Sequence, residues 1–421
     1  MERVTAAAGR RTWSYDIKHL EGRYLPWTTS GRRQKGGCGP VMVNGKGKGQ
    51  EGSARPAKGQ APVREYKLEG EVLPLAKLLI PLLIPILFLL TAVPTGFLLE
   101  SPGPSFDLQE DLAVKGTETH PSQGEFMLTA VSLQESRLFY HLLTLFGDGY
   151  ETVKVRDYLG EDLNVEEQEM VDELLTWLSQ DAATVVGLRE SGKEVEVSGS
   201  GALVVAIAEG YPADGALHPG EVIVSVNGEP VEDGAEMSEL IGSTPEGGEV
   251  TLGVKAVDRE ALKAWEDGRG ERPDLSRLLE DEAREVELQP VWEPELNRAL
   301  IGVSTRDYFT FSSEISVEWD LETVKGPSAG LMMTLSLLNS LTPEDLTGGM
   351  KVAGTGEILL DGRVGPIGGL TMKVKAAERE GAKVFIYPLD NQDELEGFSA
   401  RLELYGVGSL EEALEVLRGL D

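Results

Sequence analysis

The chain has 421 residues, 41% of them hydrophobic and 26% charged, the balance of a globular protein with room for two or three domains. Its formal net charge of −32 is unevenly spread: residues 1–77 hold 15 Lys and Arg against 7 Asp and Glu, the rest 24 against 64. So acidic a body argues against nucleic-acid binding by electrostatics. The single cysteine, Cys38, excludes a disulfide framework and a zinc site of several cysteines.

Residues 1–77 are rich in Gly, Lys and Arg with little periodicity, and are expected to form a disordered, basic, cytoplasmic leader. From Leu78 to Leu99 run 22 residues without a charge, enough for a single N-terminal transmembrane helix. Pro81, Pro85 and Pro94 within it are tolerated in membranes. Basic residues precede the run, and Glu100, Asp107, Glu110 and Asp111 follow it. Positive-inside logic therefore places the N-terminus in the cytoplasm and the acidic body outside the cell membrane.

Residues 100–192 read as a membrane-proximal α/β region, with a strand at Phe126–Val131 and helical patterns near Leu138–Phe146, Glu166–Leu178 and Ala182–Leu188. His120 and His141 there are most simply surface or packing residues. Over 193–256 short strands are punctuated by Tyr211-Pro212-Ala213, by His218-Pro219-Gly220 and by Asn227-Gly228, the last a strong hairpin signal. Residues 257–293 carry Asp258, Glu260, Glu266, Asp267, Glu271 and Glu280-Asp281-Glu282, and are expected to form a solvated acidic connector rather than a carboxylate site. Residues 294–421 alternate strand and helix patterns, an α+β domain.

Within that last domain Val324-Lys325-Gly326-Pro327-Ser328-Ala329-Gly330 leads into the apolar run Leu331-Met332-Met333-Thr334-Leu335. Pro and Gly there suit a tight turn into a helix. Ser328 should then lie at a helix N-terminus, where attack by a hydroxyl would create an oxyanion in a favourable field. A plain serine N-cap is the bland account of the same residues. A serine nucleophile needs a base, and no histidine follows His218, so a Ser-His-Asp triad within this domain is impossible. A desolvated lysine can serve instead. On a helix starting near Leu370, positions Leu370, Lys373, Val374 and Ala377 share one apolar stripe, whereas Lys375 and Arg379 fall opposite. Periodicity selects Lys373; Lys325, three residues before the serine, is the rival.

Gly326-Pro327-Ser328-Ala329-Gly330, Leu346-Thr347-Gly348-Gly349, Gly354-Thr355-Gly356 and Asp361–Gly369 before Lys373 resemble the proteolytic domain of Lon-type serine peptidases. The resemblance implies a Ser–Lys dyad with Ser328 as nucleophile and Lys373 as general base. Thr371-Met372 before that lysine depart from the family pattern, which touches local substrate contacts more than the dyad. The punctuated stretch 193–256 is similar to a PDZ domain, a module that takes an extended peptide, here a C-terminal one, onto a sheet edge. The juxtamembrane Ser101-Pro102-Gly103-Pro104 and Leu128–Ser132 resemble those of PDZ-containing, membrane-anchored Lon-like proteases.

Taken so, the chain is an α+β, ATP-independent, membrane-anchored serine endopeptidase. Its partners would be polypeptide substrates and membrane lipid, and the family resemblance implies a hexamer. Lon proteins usually carry an ATPase, whose G-x-x-x-x-G-K-[ST] signature does not occur in these residues. No cofactor or metal is expected. The competing account is a PDZ-based membrane scaffold with a vestigial peptidase, against which the intact Ser328 and Lys373 argue.

Overall fold

A computed structural model describes residues 72–144, 149–155, 165–266, 272, 274–321 and 324–420. The expected leader, up to residue 71, lies outside them. The first helix is Val72–Ala92, with Pro81 and Pro85 inside it. Its described side chains begin at Pro81, and Leu83, Ile84, Ile86, Leu87, Phe88 and Leu89 are all exposed. Among the described residues no helix is long and apolar enough to cross a membrane. The expected span Leu78–Leu99 is corrected at its C-terminal end. The helix stops at Ala92, and Pro94–Asp107 is a strand in which Leu99 is fully buried. An uncharged run does not by itself distinguish lipid from a protein core. Pro94 and Gly96, the latter at φ 72, end the helical conformation.

The unit from Ala92 onward is built on two sheets. The larger has strands in the order Glu403–Val407, Val384–Pro388, Lys351–Gly354, Glu125–Arg137, Pro94–Asp107 and Glu151–Lys154. The first four are mutually parallel, and Pro94–Asp107 pairs antiparallel with both Glu125–Arg137 and Glu151–Lys154. Strands buried on both faces send alternate side chains into two cores. Phe126, Leu128, Val384 and Ile386 enter one core together with the helices Val165–Glu190 and Gly330–Leu341. Met127, Phe385 and Tyr387 enter the other with Leu370, Val374 and Ala377 of the helix Leu370–Arg379.

Strands from residues 94–154 thus sit beside strands from 351–407, so the segment 100–192 is part of the C-terminal α+β layer and not a separate region. Its two helical patterns near 166–178 and 182–188 are one helix, Val165–Glu190. Ala182 and Ala183 keep the helix continuous and pack inward, both buried.

The second sheet runs Val303–Ser312, Glu196–Ile207, Val222–Val226, Val250–Lys255 and Arg284–Leu288. The helix Gly234–Gly242 buries Met237 and Ile241 over its own small core. The expected module 193–256 is therefore completed by two strands from beyond its boundary. The supposedly solvated connector 257–293 contributes one of them, with Val286 and Leu288 in that core. It also buries Val257, Leu262, Leu275 and Leu278 in the larger core. The acidic residues mask an apolar alternation that packs: in Arg284–Leu288 the glutamates face outward and Val286 and Leu288 inward.

Candidate active site

Gly326 has φ 89, a left-handed conformation that glycine adopts without strain, and it aims Pro327 into a single 3-10 turn, Pro327–Ala329. The helix Gly330–Leu341 follows directly, every residue of it buried. A Cβ on Gly330 would lie 2.9 Å from both the backbone N and Cγ2 of Ile358, so only glycine lets the turn sit this close to the next loop. The N-cap position of the helix is Ala329, with no side-chain cap bond. Ser328, 2% exposed, is one residue earlier and is not the N-cap. The Leu331 N–H of the first turn is already donated to the Gly356 carbonyl at 2.9 Å.

Three polar groups hold the turn from outside. The Gly326 N–H donates to Thr176 Oγ1 at 2.6 Å, and Ser179 Oγ donates to the Pro327 carbonyl at 3.0 Å. Lys325 Nζ is 2.7 Å from Glu173 Oε2. Glu173, Thr176 and Ser179 recur every three residues along Val165–Glu190, one helix face turned to the nucleophile loop. The rival lysine is thus engaged in an ion pair with an almost fully buried carboxylate.

The Leu370–Arg379 helix begins after Gly369 in the left-handed region. Leu370, Lys373, Val374 and Ala377 are buried along it. Lys375 lies across the helix with its ammonium 5.6 Å from the Phe398 ring. Thr371 donates to Glu151 Oε1 at 2.9 Å and Met372 is buried, so both departures from the family pattern are packed into this chain's own structure.

Lys373 Nζ reaches past the end of strand Lys351–Gly354 to Ser328 Oγ at 2.8 Å and to Thr355 Oγ1 at 3.0 Å. Thr355 Oγ1 in turn donates to the Ser328 carbonyl at 3.0 Å, and the Gly356 N–H donates to the same carbonyl at 2.9 Å. Serine and lysine come from helices on opposite faces of the large sheet and meet just beyond the C-terminal end of its interior strand Lys351–Gly354. Burial, opposed by the negative charges of Glu394 and Glu100, lowers the Lys373 pKa to about 7. A neutral amine in hydrogen-bond contact with a hydroxyl can take its proton and activate the oxygen for attack on a carbonyl.

Glu100, counted above among the charges beyond the membrane, is instead 4% exposed and close enough to act on the lysine. Sequence reasoning assigned no role to Thr355, Glu100 or Glu394. Thr355 alone carried a local signal, its place between two glycines. Among the described residues no group of three or more His, Cys, Asp or Glu could hold a metal ion.

Residues 321–417 match the Lon protease (S16) C-terminal proteolytic domain, and residues 186–261 match the PDZ domain. The Lon protease of Koribacter versatilis (strain Ellin345) is 30% identical over 228 residues, 50% of this chain and 26% of that protein. The Lon protease of Escherichia coli (strain K12) is 42% identical over 93 residues, 21% of this chain and 12% of that protein. The chain spans about a quarter or less of the length of these curated relatives. A solved PDZ domain of an SdrC-like protein from Listeria monocytogenes covers 26% of this chain and 92% of that one at 17% identity, with a TM-score of 0.19. The two domain matches stand: a Lon-type proteolytic domain and a PDZ domain are present in this chain, and together with the relatives they indicate a serine peptidase.

Proposed function

We propose that the protein is a membrane-anchored serine endopeptidase that cleaves unfolded polypeptides outside the cytoplasm without nucleotide. The observation that carries the peptidase reading is the 2.8 Å contact between Ser328 Oγ and the buried Lys373 amine. Neutral Lys373 accepts the Ser328 proton as Oγ attacks the scissile carbonyl. The resulting ammonium returns that proton to the departing amine, leaving an acyl-serine. The same amine, neutral again, takes a proton from a water whose oxygen attacks the acyl carbon. The acyl–Oγ bond then breaks, releasing the acid, and the ammonium returns the proton to Ser328 Oγ. Both members of the dyad come from this chain and are already in contact, so the proton transfers need no group beyond them.

The membrane assignment rests on the exposed apolar side chains from Leu83 to Leu89, preceded by the basic leader. The PDZ sheet would hold an extended substrate by main-chain pairing.

The test is hydrolysis of labelled, unfolded casein by the full chain. Cleavage without ATP that vanishes in Ser328→Ala supports the peptidase; equal cleavage by both proteins refutes it and leaves the scaffold account. Flotation of the full chain with anionic vesicles tests anchoring, and recovery only at the bottom of the gradient refutes it. A peptide with an apolar C-terminus should bind in the micromolar range and slow cleavage of long substrates more than of short ones. Equal inhibition of both would reduce the PDZ domain to a support.

A further inference from the structure

The outermost strand of the PDZ sheet, Val303–Ser312, makes a contact that neither matched domain accounts for. Arg306 on that strand clasps Glu357 with both ends of its guanidinium, Nε to Oε1 at 2.6 Å and Nη2 to Oε2 at 3.1 Å. This is the fork geometry in which arginine holds a carboxylate in one orientation. The Glu357 side chain is 8% exposed and that of Arg306 31%. Gly365 makes room for the pair, since a Cβ there would lie 3.0 Å from Glu357 Oε2. Arg306 lies outside both the 186–261 and the 321–417 match.

Glu357 directly follows the two residues that frame the dyad. The Gly356 N–H and Thr355 Oγ1 both donate to the Ser328 carbonyl, and Thr355 Oγ1 accepts from Lys373 Nζ. The Gly356 carbonyl takes the Leu331 N–H, fixing the start of the nucleophile helix against the same loop. Ile358, on the other side of Glu357, packs against Gly330. A shift of Glu357 is therefore a shift of Thr355, Gly356 and Ser328 together. A buried ion pair is a weak source of stability, because apolar residues of the same volume usually do as well or better. Its geometry here serves the placement of a loop.

We propose that Arg306 is a positioning residue of the proteolytic site. Through Glu357 it sets the loop Thr355-Gly356 against Ser328 and Lys373, and so makes turnover depend on the place of the PDZ sheet's outer strand. This rests on the Ser–Lys peptidase proposed above. A displacement of about 1 Å at such a site costs on the order of 100-fold in rate.

The experiment compares wild type, Arg306→Met, Glu357→Met, the double Met variant and Arg306→Lys as full chains on a short peptide too small to reach the PDZ sheet. Expected are kcat values about 10- to 100-fold below wild type in the Met variants, with KM and the pH midpoint unchanged. The double variant should recover the melting temperature but not kcat. Arg306→Lys, which keeps the charge and loses the fork, should fold like wild type and lose several-fold in kcat. A double variant with wild-type melting temperature and wild-type kcat, or an Arg306→Lys protein with unchanged kcat, overturns the proposal. Ser328→Ala measured alongside separates the two failures: if it still cleaves, the peptidase assignment falls, whatever Arg306 does.

Discussion

Replacing Lys373 by methionine should abolish cleavage and at the same time stabilise the fold near neutral pH. The amine has no solvent contact, and its pKa falls from 10.5 to about 7. A drop of that size corresponds to about 5 kcal/mol of penalty for protonating the buried amine, at about 1.36 kcal/mol per pH unit. The sign follows from a folded pKa below the unfolded one. The unfolded chain binds the proton more tightly, so the penalty is fully present below pH 7 and is relieved as pH rises from about 7 to 10.5. Methionine fills nearly the same volume, but it leaves Ser328 Oγ and Thr355 Oγ1 without the lysine, a loss of about 1 kcal/mol per hydrogen bond. The net expectation is a variant about 3 kcal/mol more stable than wild type at pH 6.5 and about equal to it at pH 9.5. Urea unfolding of both proteins at the two pH values measures the gap. A gap independent of pH, or a variant less stable at pH 6.5, would refute the claim that burial lowers the pKa of this amine.

Other perturbations bear on the surroundings of the dyad. Glu394→Gln removes the larger of the two negative charges that hold the lysine pKa up, so the midpoint of the pH–rate profile should move to lower pH; an upward shift would contradict that electrostatic account. Thr355→Val breaks the hydroxyl link between Lys373 Nζ and the Ser328 carbonyl, and should lower kcat about 10- to 100-fold with KM little changed, on the scale of misplacing a catalytic group. Lys325→Met strips the partner from the nearly buried Glu173 and should cost about 2–4 kcal/mol in urea unfolding. Its pH–rate midpoint should stay where it is; a shifted midpoint would bring Lys325 back as a base.

The parts of the molecule that were legible in the sequence are those governed by local geometry. Helical periodicity alone separated Lys373 from Lys375, because a ten-residue amphipathic helix writes its buried face into the order of residues. Gly326-Pro327 announced the turn before Ser328 for a similar reason, since both residues restrict the backbone directly. What escaped was long-range. Leu98 and Leu99 look the same whether they face lipid or the neighbouring strand, and pairing with Glu135 and Gln134 is what decided.

The acidic density of 257–293 concealed residues such as Leu275, whose carbonyl accepts the Tyr308 hydroxyl at 2.7 Å. Nothing near Arg306 in sequence marks it as the partner of Glu357, 51 positions away. Thr176 and Ser179 likewise meet the nucleophile loop 150 and 148 positions on. Such contacts are set by the topology of two sheets and have no local signature.

The most direct measurement is the pH dependence of kcat/KM for a short peptide, taken from pH 5 to 10 with the full chain. If neutral Lys373 removes the Ser328 proton, the rate should rise through one transition centred near pH 7, the value to which burial lowers the amine. Lys375→Ala should trace the same curve, and Ser328→Ala and Lys373→Ala should show no cleavage at any pH. A curve that is flat through neutrality, or a Lys373→Ala protein that still turns over, would contradict the assignment of the base.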